Sequence, residues 1–267
     1  MTITKDFANI YKDYLRVTND YKKHIKQIEN MKRKVEKKQA IATEEEVNLI
    51  EKEELTEDDE LTCNKDKIYF FSNGDKYIGK IEKNDLHGKG YYIMYDDGEM
   101  IMEYTGDFVN NLRDGVGQCR LRNGNLYIGE FKEDIISGTG QMNYKNGDEY
   151  IGQWENNKKH GIGMFTWNDK VRYNGEFKGG KMDGEGQCFD EHGNLIYQGE
   201  WKNNLIHGEG TYIWNEGKRY EGEFMYGKKH GKGKFYLNGE LIYDGTWKFD
   251  KPSVLGRSLD ELFSIKL

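Results

Sequence analysis

Between Tyr77 and Trp247 apolar and polar positions alternate in short runs, and the alternation itself recurs along the chain. The clearest copy, Tyr127 to Gly140, reads YIGEFKEDIISGTG. Reduced to its fixed positions it is Tyr-x-Gly-x-aromatic, six residues, then Gly-x-Gly. The leading tyrosines are Tyr77, Tyr104, Tyr127, Tyr150, Tyr173, Tyr197, Tyr220 and Tyr243, at steps of 27, 23, 23, 23, 24, 23 and 23 residues. A step this regular marks a repeat array. A period of two puts Tyr127, Gly129 and Phe131 on one face of a strand, with Ile128 and Glu130 on the other. In the return strand Gly138, Gly140, Met142 and Tyr144 share a face by the same rule. Both glycine sets then offer shallow slots that neighbouring aromatic rings can cover.

Turn chemistry agrees with two strands per unit. The six-residue gaps hold Asn84-Asp85, Asn110-Asn111, Glu133-Asp134, Asn156-Asn157, Gly179-Gly180, Asn203-Asn204 and Tyr226-Gly227, mostly pairs that accept positive φ and suit tight hairpins. A second set, Asp97-Gly98, Asn123-Gly124, Asn146-Gly147, His192-Gly193, Glu216-Gly217 and Asn238-Gly239, marks the other turn, with Asn168-Asp169 as the unit that lacks glycine. The pattern predicts an all-β repeat array, a single-layer twisted antiparallel meander of about fourteen strands, in which neighbours stabilise one another. It occupies residues 63–250 as a half repeat, seven full repeats and a partial eighth.

Outside the array the periodicity changes. In residues 1–62 apolar positions at Phe7, Ile10, Tyr14, Val17, Tyr21, Ile28, Met31 and Val35 fit four heptads, which predicts a helix that either enters a coiled coil or packs on a sheet. Its first forty residues hold eleven Lys/Arg against five Asp/Glu, and Ala42 to Glu60 inverts this with ten acidic residues against Lys52. Residues 251–267 begin near Pro252 and carry Ser258 and Glu261 in capping-box spacing, which predicts a short helix covering the last sheet edge.

Composition sharpens the picture. Of 267 residues only 36% are hydrophobic, but 19 are Tyr, 12 Phe and 5 Trp. Such a balance favours a thin structure held by rings over a thick aliphatic core. Glycine, at 33 residues, falls almost wholly at motif and turn positions. Cys63, Cys119 and Cys188 form no close pair and read as reduced thiols of a cytosolic protein. No apolar run reaches membrane-spanning length and no leader is recognisable, so membrane contact is expected to be peripheral. With a net charge of −7, nucleic acid is not an expected partner.

Candidate chemistry is sparse. His87, His160, His207 and His230 share one phase, but units about 10 Å apart cannot bring them to one ion, whose ligands must lie about 2 Å away. Gly-x-Gly recurs seven times among strands, which does not fit a nucleotide loop joining a strand to a helix. No catalytic set emerges, and neither cofactor nor metal is expected. Asp107, Glu130, Glu176, Glu200 and Glu223 hold one phase on the face away from the rings, with Lys80 and Gln153 in line. This column reads first as a solvated stripe and second as a docking surface for a basic partner. Lys32, Arg33, Lys34, Lys37 and Lys38 form a basic cluster that could meet anionic lipid, or pair with the chain's own acidic stretch.

A 23-residue unit of the form Tyr-x-Gly-x-(Phe/Trp)…(His)-Gly-x-Gly resembles the MORN repeat, best in YIGQWENNKKHGIGMFTWND (Tyr150 to Asp169) and YQGEWKNNLIHGEGTYIW (Tyr197 to Trp214). Departures are Ile81 in place of the aromatic, four extra residues before Tyr104, and the missing glycine pair in the last unit. The resemblance implies a non-enzymatic protein-protein interaction scaffold, cytoplasmic, in a cytoskeletal or ciliary (axonemal) assembly. Its aromatic face would hold a helix through Tyr127, Phe131, Tyr150, Trp154, Tyr173, Phe177, Tyr197 and Trp201. Homodimerisation through the first helix is compatible with this reading. Two other readings are a membrane-apposed adaptor binding anionic phospholipid, and a regulatory subunit of an enzyme supplied in trans.

Overall fold

The computed structural model describes residues 68–253 together with Lys12, Leu15, Arg16 and Asn19, which are helical. The rest of the expected N-terminal segment, including the basic cluster and the acidic stretch, lies outside the described residues, as does the expected C-terminal helix. Two compact units divide between Lys145 and Asn146.

The first unit contains β1 (Ile68–Phe70), β2 (Lys76–Glu82), β3 (Asp85–Asp96), β4 (Glu99–Val109), β5 (Leu112–Leu121), β6 (Leu126–Lys132) and β7 (Ile135–Asn143). Each pairs antiparallel with the next in sequence. The second contains β8 (Glu149–Glu155), β9 (Lys158–Thr166), β10 (Arg172–Lys178), β11 (Lys181–Phe189), β12 (Leu195–Lys202), β13 (Leu205–Ile213), β14 (Lys218–Met225), β15 (Lys228–Leu237), β16 (Glu240–Lys248) and β17 (Lys251–Pro252), again a meander of nearest neighbours. Strands beyond the expected fourteen are β1, from the half repeat, β16, from the partial eighth, and β17. Pro252 stands opposite Trp247 in the last described strand, where a missing N–H interrupts no further ladder.

Hairpins at one end of each unit are two-residue turns with both residues at positive φ, as at Asn110-Asn111 (49° and 69°), Glu133-Asp134 (47° and 68°) and Asn203-Asn204 (51° and 70°). Their twist matches that of the flanking strands. The first such turn is Lys83-Asn84, not Asn84-Asp85, because Asp85 already pairs with Glu82 at the start of β3. In the unit without a turn glycine the left-handed residue is Lys170 (φ 73°), one place after Asn168-Asp169.

The core of each unit is a file of rings. Tyr77, Tyr104, Tyr127, Tyr150, Tyr173 and Tyr220 are wholly buried, as is nearly all of Tyr197. Each ring lies across two facing glycines, as Tyr127 does over Gly129 and Gly140, which pair directly. A Cβ on Gly140 would stand 2.5 Å from Cζ of Tyr127, well inside the 3.5–4.0 Å or so of carbon contact. One expectation is corrected here. Gly138 does not share the ring face with Gly140: the register shifts between Gly129 and Phe131, Gly138 takes φ 83°, and its missing Cβ points at Glu130. The first glycine of each pair therefore makes a bulge, and only the second receives a ring.

Candidate functional site

The ring face is built from two kinds of contact. Within a repeat the tyrosine meets its own aromatic edge to face, as in Tyr127–Phe131 (5.2 Å, 90°), Tyr150–Trp154 (5.1 Å, 87°) and Tyr197–Trp201 (5.3 Å, 86°). It then meets the aromatic of the following repeat in the same way, as in Tyr104–Phe131 (5.3 Å), Tyr150–Phe177 (5.0 Å) and Tyr173–Trp201 (5.1 Å). Edge-to-face pairs of this kind add about 0.5–1.5 kcal/mol beyond the area buried. Phe131, Phe177 and Trp201 thus each serve two tyrosines. Ile81 belongs to the first unit, where no earlier motif tyrosine asks for a ring.

Sequence reasoning missed the reason for tyrosine over phenylalanine. Each motif tyrosine donates its hydroxyl to the backbone carbonyl three residues on: Tyr77 to Lys80, Tyr104 to Asp107, Tyr127 to Glu130, Tyr150 to Gln153, Tyr173 to Glu176, Tyr197 to Glu200, Tyr220 to Glu223 and Tyr243 to Thr246, at 2.9–3.1 Å. In the repeats from Tyr77 to Tyr220 the bulge takes that carbonyl out of the ladder and the hydroxyl restores its partner, whereas the Thr246 carbonyl of the last unit also accepts the Ser253 N–H at 2.7 Å. Burial holds the hydroxyls of Tyr104, Tyr127, Tyr173, Tyr197 and Tyr220 far above the usual phenol range. They stay protonated donors.

The carboxylate column completes the same device. Glu130 accepts the N–H of Thr139 (2.6 Å), Gln153 that of Ile162 (2.9 Å), Glu176 that of Glu185 (3.2 Å), Glu200 that of Glu209 (2.9 Å) and Glu223 that of Lys232 (2.8 Å). Gln153 performs this role without charge, so an acceptor is what the position needs. Asp107, one carbon shorter, instead pairs with Lys89 at 3.0 Å. Glu130 also receives Arg16 of the N-terminal segment at 3.7 Å. That contact falls on the carboxylate face and not on the rings.

Turns are stitched to the preceding hairpin. Asn111, Asp134, Asn204 and Asp250 each accept, through Oδ1, the backbone N–H of Leu86, Arg113, Met182 and Lys229 respectively, at 2.8–3.0 Å. At the opposite end Asp75, Asn125 and Asp148 accept the N–H of Tyr95, Lys145 and Asn168. Asp75 is 1% exposed and also takes the Tyr92 hydroxyl.

Of the eight rings named from sequence as partner contacts, Tyr127 and Phe131 lie in the first unit and Tyr150, Trp154, Tyr173, Phe177, Tyr197 and Trp201 in the second, and all are only 0–9% exposed. They form the sheet's own core. What the ring face shows outward is the half-buried row paired with the aromatics from Phe108 onward: Arg113, Ile136, Lys159, Met182, Ile206 and Lys229. Arg113 lies over Tyr104 and Phe131, Lys159 over Tyr150, Phe165 and Phe177, and Lys229 over Trp214 and Trp247, at 4.2–5.7 Å. Three of the four in-phase histidines meet neighbours near the turns, with His160 3.3 Å from Glu155, His207 beside Tyr226 and His230 beside Phe249. Among the described residues no cluster suited to a metal occurs, and no helix is long and apolar enough to cross a membrane. Cys119 and Cys188 are free and buried.

The family model for the MORN repeat matches residues 104–126, 127–149, 150–172, 173–191, 197–219, 220–239 and 243–259. The unit opening at Tyr77 lies outside these matches, although its tyrosine covers Gly79 and Gly90 as the others cover theirs. No curated protein matches the chain. Among solved structures, the E1021V mutant of the TCP10 domain of Danio rerio CPAP is 14% identical, over 67% of this chain and 88% of that one, with a TM-score of 0.26. The wild-type TCP10 domain of Danio rerio CPAP in complex with a peptide of Danio rerio STIL is 10% identical, over 67% of this chain and 98% of that one, with a TM-score of 0.18.

Proposed function

This chain belongs to the MORN repeat family, and from that premise we propose that it is a non-enzymatic protein-protein interaction scaffold whose ring face receives a helix or peptide of a partner. One observation carries the reading. The motif residues are consumed in holding the sheet together, while the row laid over them changes from unit to unit: Arg113 and Ile136 in the first, Lys159, Met182, Ile206 and Lys229 in the second. A fixed frame with a variable outer row has the form of a recognition surface, in which side-chain identity sets specificity. By family analogy the setting is a cytoskeletal or ciliary assembly.

The test is site-specific photocrosslinking in cells. A crosslinker at Met182 or Ile206 should capture a protein that one at Gln187, on the opposite face, does not. Capture from Gln187 alone would overturn the ring-face assignment. A second reading has its own support: Arg16 on Glu130 shows a basic side chain taken up by the carboxylate face, so that face could hold a basic partner. The adaptor reading through Lys32, Arg33, Lys34, Lys37 and Lys38 is separable by vesicle co-sedimentation, which should be salt-sensitive and lost on deleting residues 1–40. A regulatory role toward an enzyme supplied in trans would show as a catalytic subunit in the crosslinked product.

A further inference from the structure

Three repeats place a cation in the outer row, and two of them supply its counter-ion from the next turn. Asp134 stands at the second position of the turn after Arg113; its Oδ1 takes the Arg113 N–H at 2.9 Å and Nε at 2.8 Å. Asp250 stands in the same place after Lys229, where its Oδ1 takes the N–H at 3.0 Å and lies 3.4 Å from Nζ. Both turns also close with the same backbone bond, from the Asp134 N–H to the Arg113 carbonyl and from the Asp250 N–H to the Lys229 carbonyl, each 2.9 Å.

The third repeat keeps the frame and omits the acid. Gly180 donates to the Lys159 carbonyl at 2.8 Å in the identical register, but it has no side chain, and nothing lies within 4 Å of where its Cβ would be. Lys159 sits among Tyr150, Phe165 and Phe177, 4.2–5.6 Å from their centroids. Burial lowers its pKa, opposed by the charge of Asp148. An ammonium held over rings gains from their negative faces, yet a partly desolvated charge with no ion pair among the described residues remains costly.

We propose that Lys159 and the open space above Gly180 form a docking point for a carboxylate, an Asp or Glu side chain of the partner that lies on the ring face. The occupant is a carboxylate because an aspartate fills the same position in both companion repeats. This deepens the scaffold reading and rests on it for the partner's location, but the site can be probed without knowing the partner. The partner contributes the missing carboxylate oxygen.

The experiment titrates the full chain with a synthetic octaglutamate peptide, measuring affinity by calorimetry in every variant and following the Lys159 Cε–Nζ signals by NMR where the lysine is present. Saturable shifts at Lys159 are expected in the unmodified chain, with affinity at least tenfold weaker in Lys159→Met, which keeps the packing volume. Gly180→Asp should raise the Lys159 pKa and compete the peptide away, whereas Gly180→Asn should leave both unchanged. Folding of each variant is checked by its tyrosine and tryptophan fluorescence. Peptide binding unaffected by Gly180→Asp would overturn the proposal, as would shifts produced by a phosphoserine octapeptide and not by octaglutamate. A partner captured at Met182 that survives Lys159→Met would overturn this inference while leaving the scaffold reading in place.

Discussion

Gly186→Ala tests the packing of ring over glycine, because the three nearest atoms its methyl would meet belong to one ring. A Cβ there would lie 2.5 Å from Cζ and Oη of Tyr173. The ring cannot swing away, since Phe177 at 5.2 Å and Trp201 at 5.1 Å hold it edge to face. Overpacking of this kind costs about 1–3 kcal/mol. Remove the ring and the sign changes: Gly186 lacks a left-handed φ, so alanine is tolerated and stabilises by about 0.4–1 kcal/mol through the unfolded chain. Tyr173→Ala alone should cost about 3–5 kcal/mol, the scale for a buried ring. The double variant should therefore be more stable than the sum of the two single changes by roughly 2 kcal/mol. Urea unfolding gives the totals, and hydrogen exchange of β10 and β11 amides gives the local effect. Additivity within about 0.5 kcal/mol would show that ring and glycine do not touch, and the account of the core would fail.

Further outcomes rest on the same geometry. Tyr220→Phe should cost about 1–3 kcal/mol by leaving the Glu223 carbonyl unpaired in a buried site, and more than Tyr243→Phe, whose ring is only half-buried; equal melting temperatures would contradict this. Glu223→Gln should be nearly neutral, as Gln153 already fills the equivalent place, while Glu223→Ala lowers stability by about 1 kcal/mol in urea titrations. Desolvation, with Glu200 and Glu176 nearby, raises the pKa of Glu185 above its ordinary 4.5. For an acid this means that stability is full below about 4.5 and is lost as pH rises through the raised value. Glu185→Gln should accordingly raise the melting temperature at pH 7 and leave it unchanged at pH 3.5.

The frame is legible because the motif is periodic and its turns carry their own chemistry: Asn-Asn and Gly-Gly declare positive φ by residue type alone. The hidden part depends on a register shift. Gly138 and Gly140 look equivalent by alternation, and only the bulge after Gly129 sends one toward Glu130 and the other beneath Tyr127. The same shift creates the orphan carbonyl that makes tyrosine, not phenylalanine, the residue at the head of the repeat. The eight rings read as a contact surface because they are aromatic, but in a sheet this thin the aromatics are the interior. The visible surface belongs to Arg113, Lys159 and their counterparts, which no repeat consensus picks out. For Arg113, Lys159 and Lys229 the signal is a cation two residues after the hairpin turn, in phase with the motif.

Trp247 carries the consequence of an arrangement in which each repeat leans on its successor. It meets Tyr220 at 5.2 Å and Tyr243 at 5.4 Å, is 1% exposed, and donates Nε1–H to the Gly233 carbonyl at 3.0 Å. The partial eighth unit thus exists for its indole, which plugs the socket that the seventh leaves open. The array has a polarity: a gene duplication placed before Tyr220 lengthens it without exposing an unfinished joint, whereas a stop codon before Trp247 leaves a bare tyrosine at the truncated end.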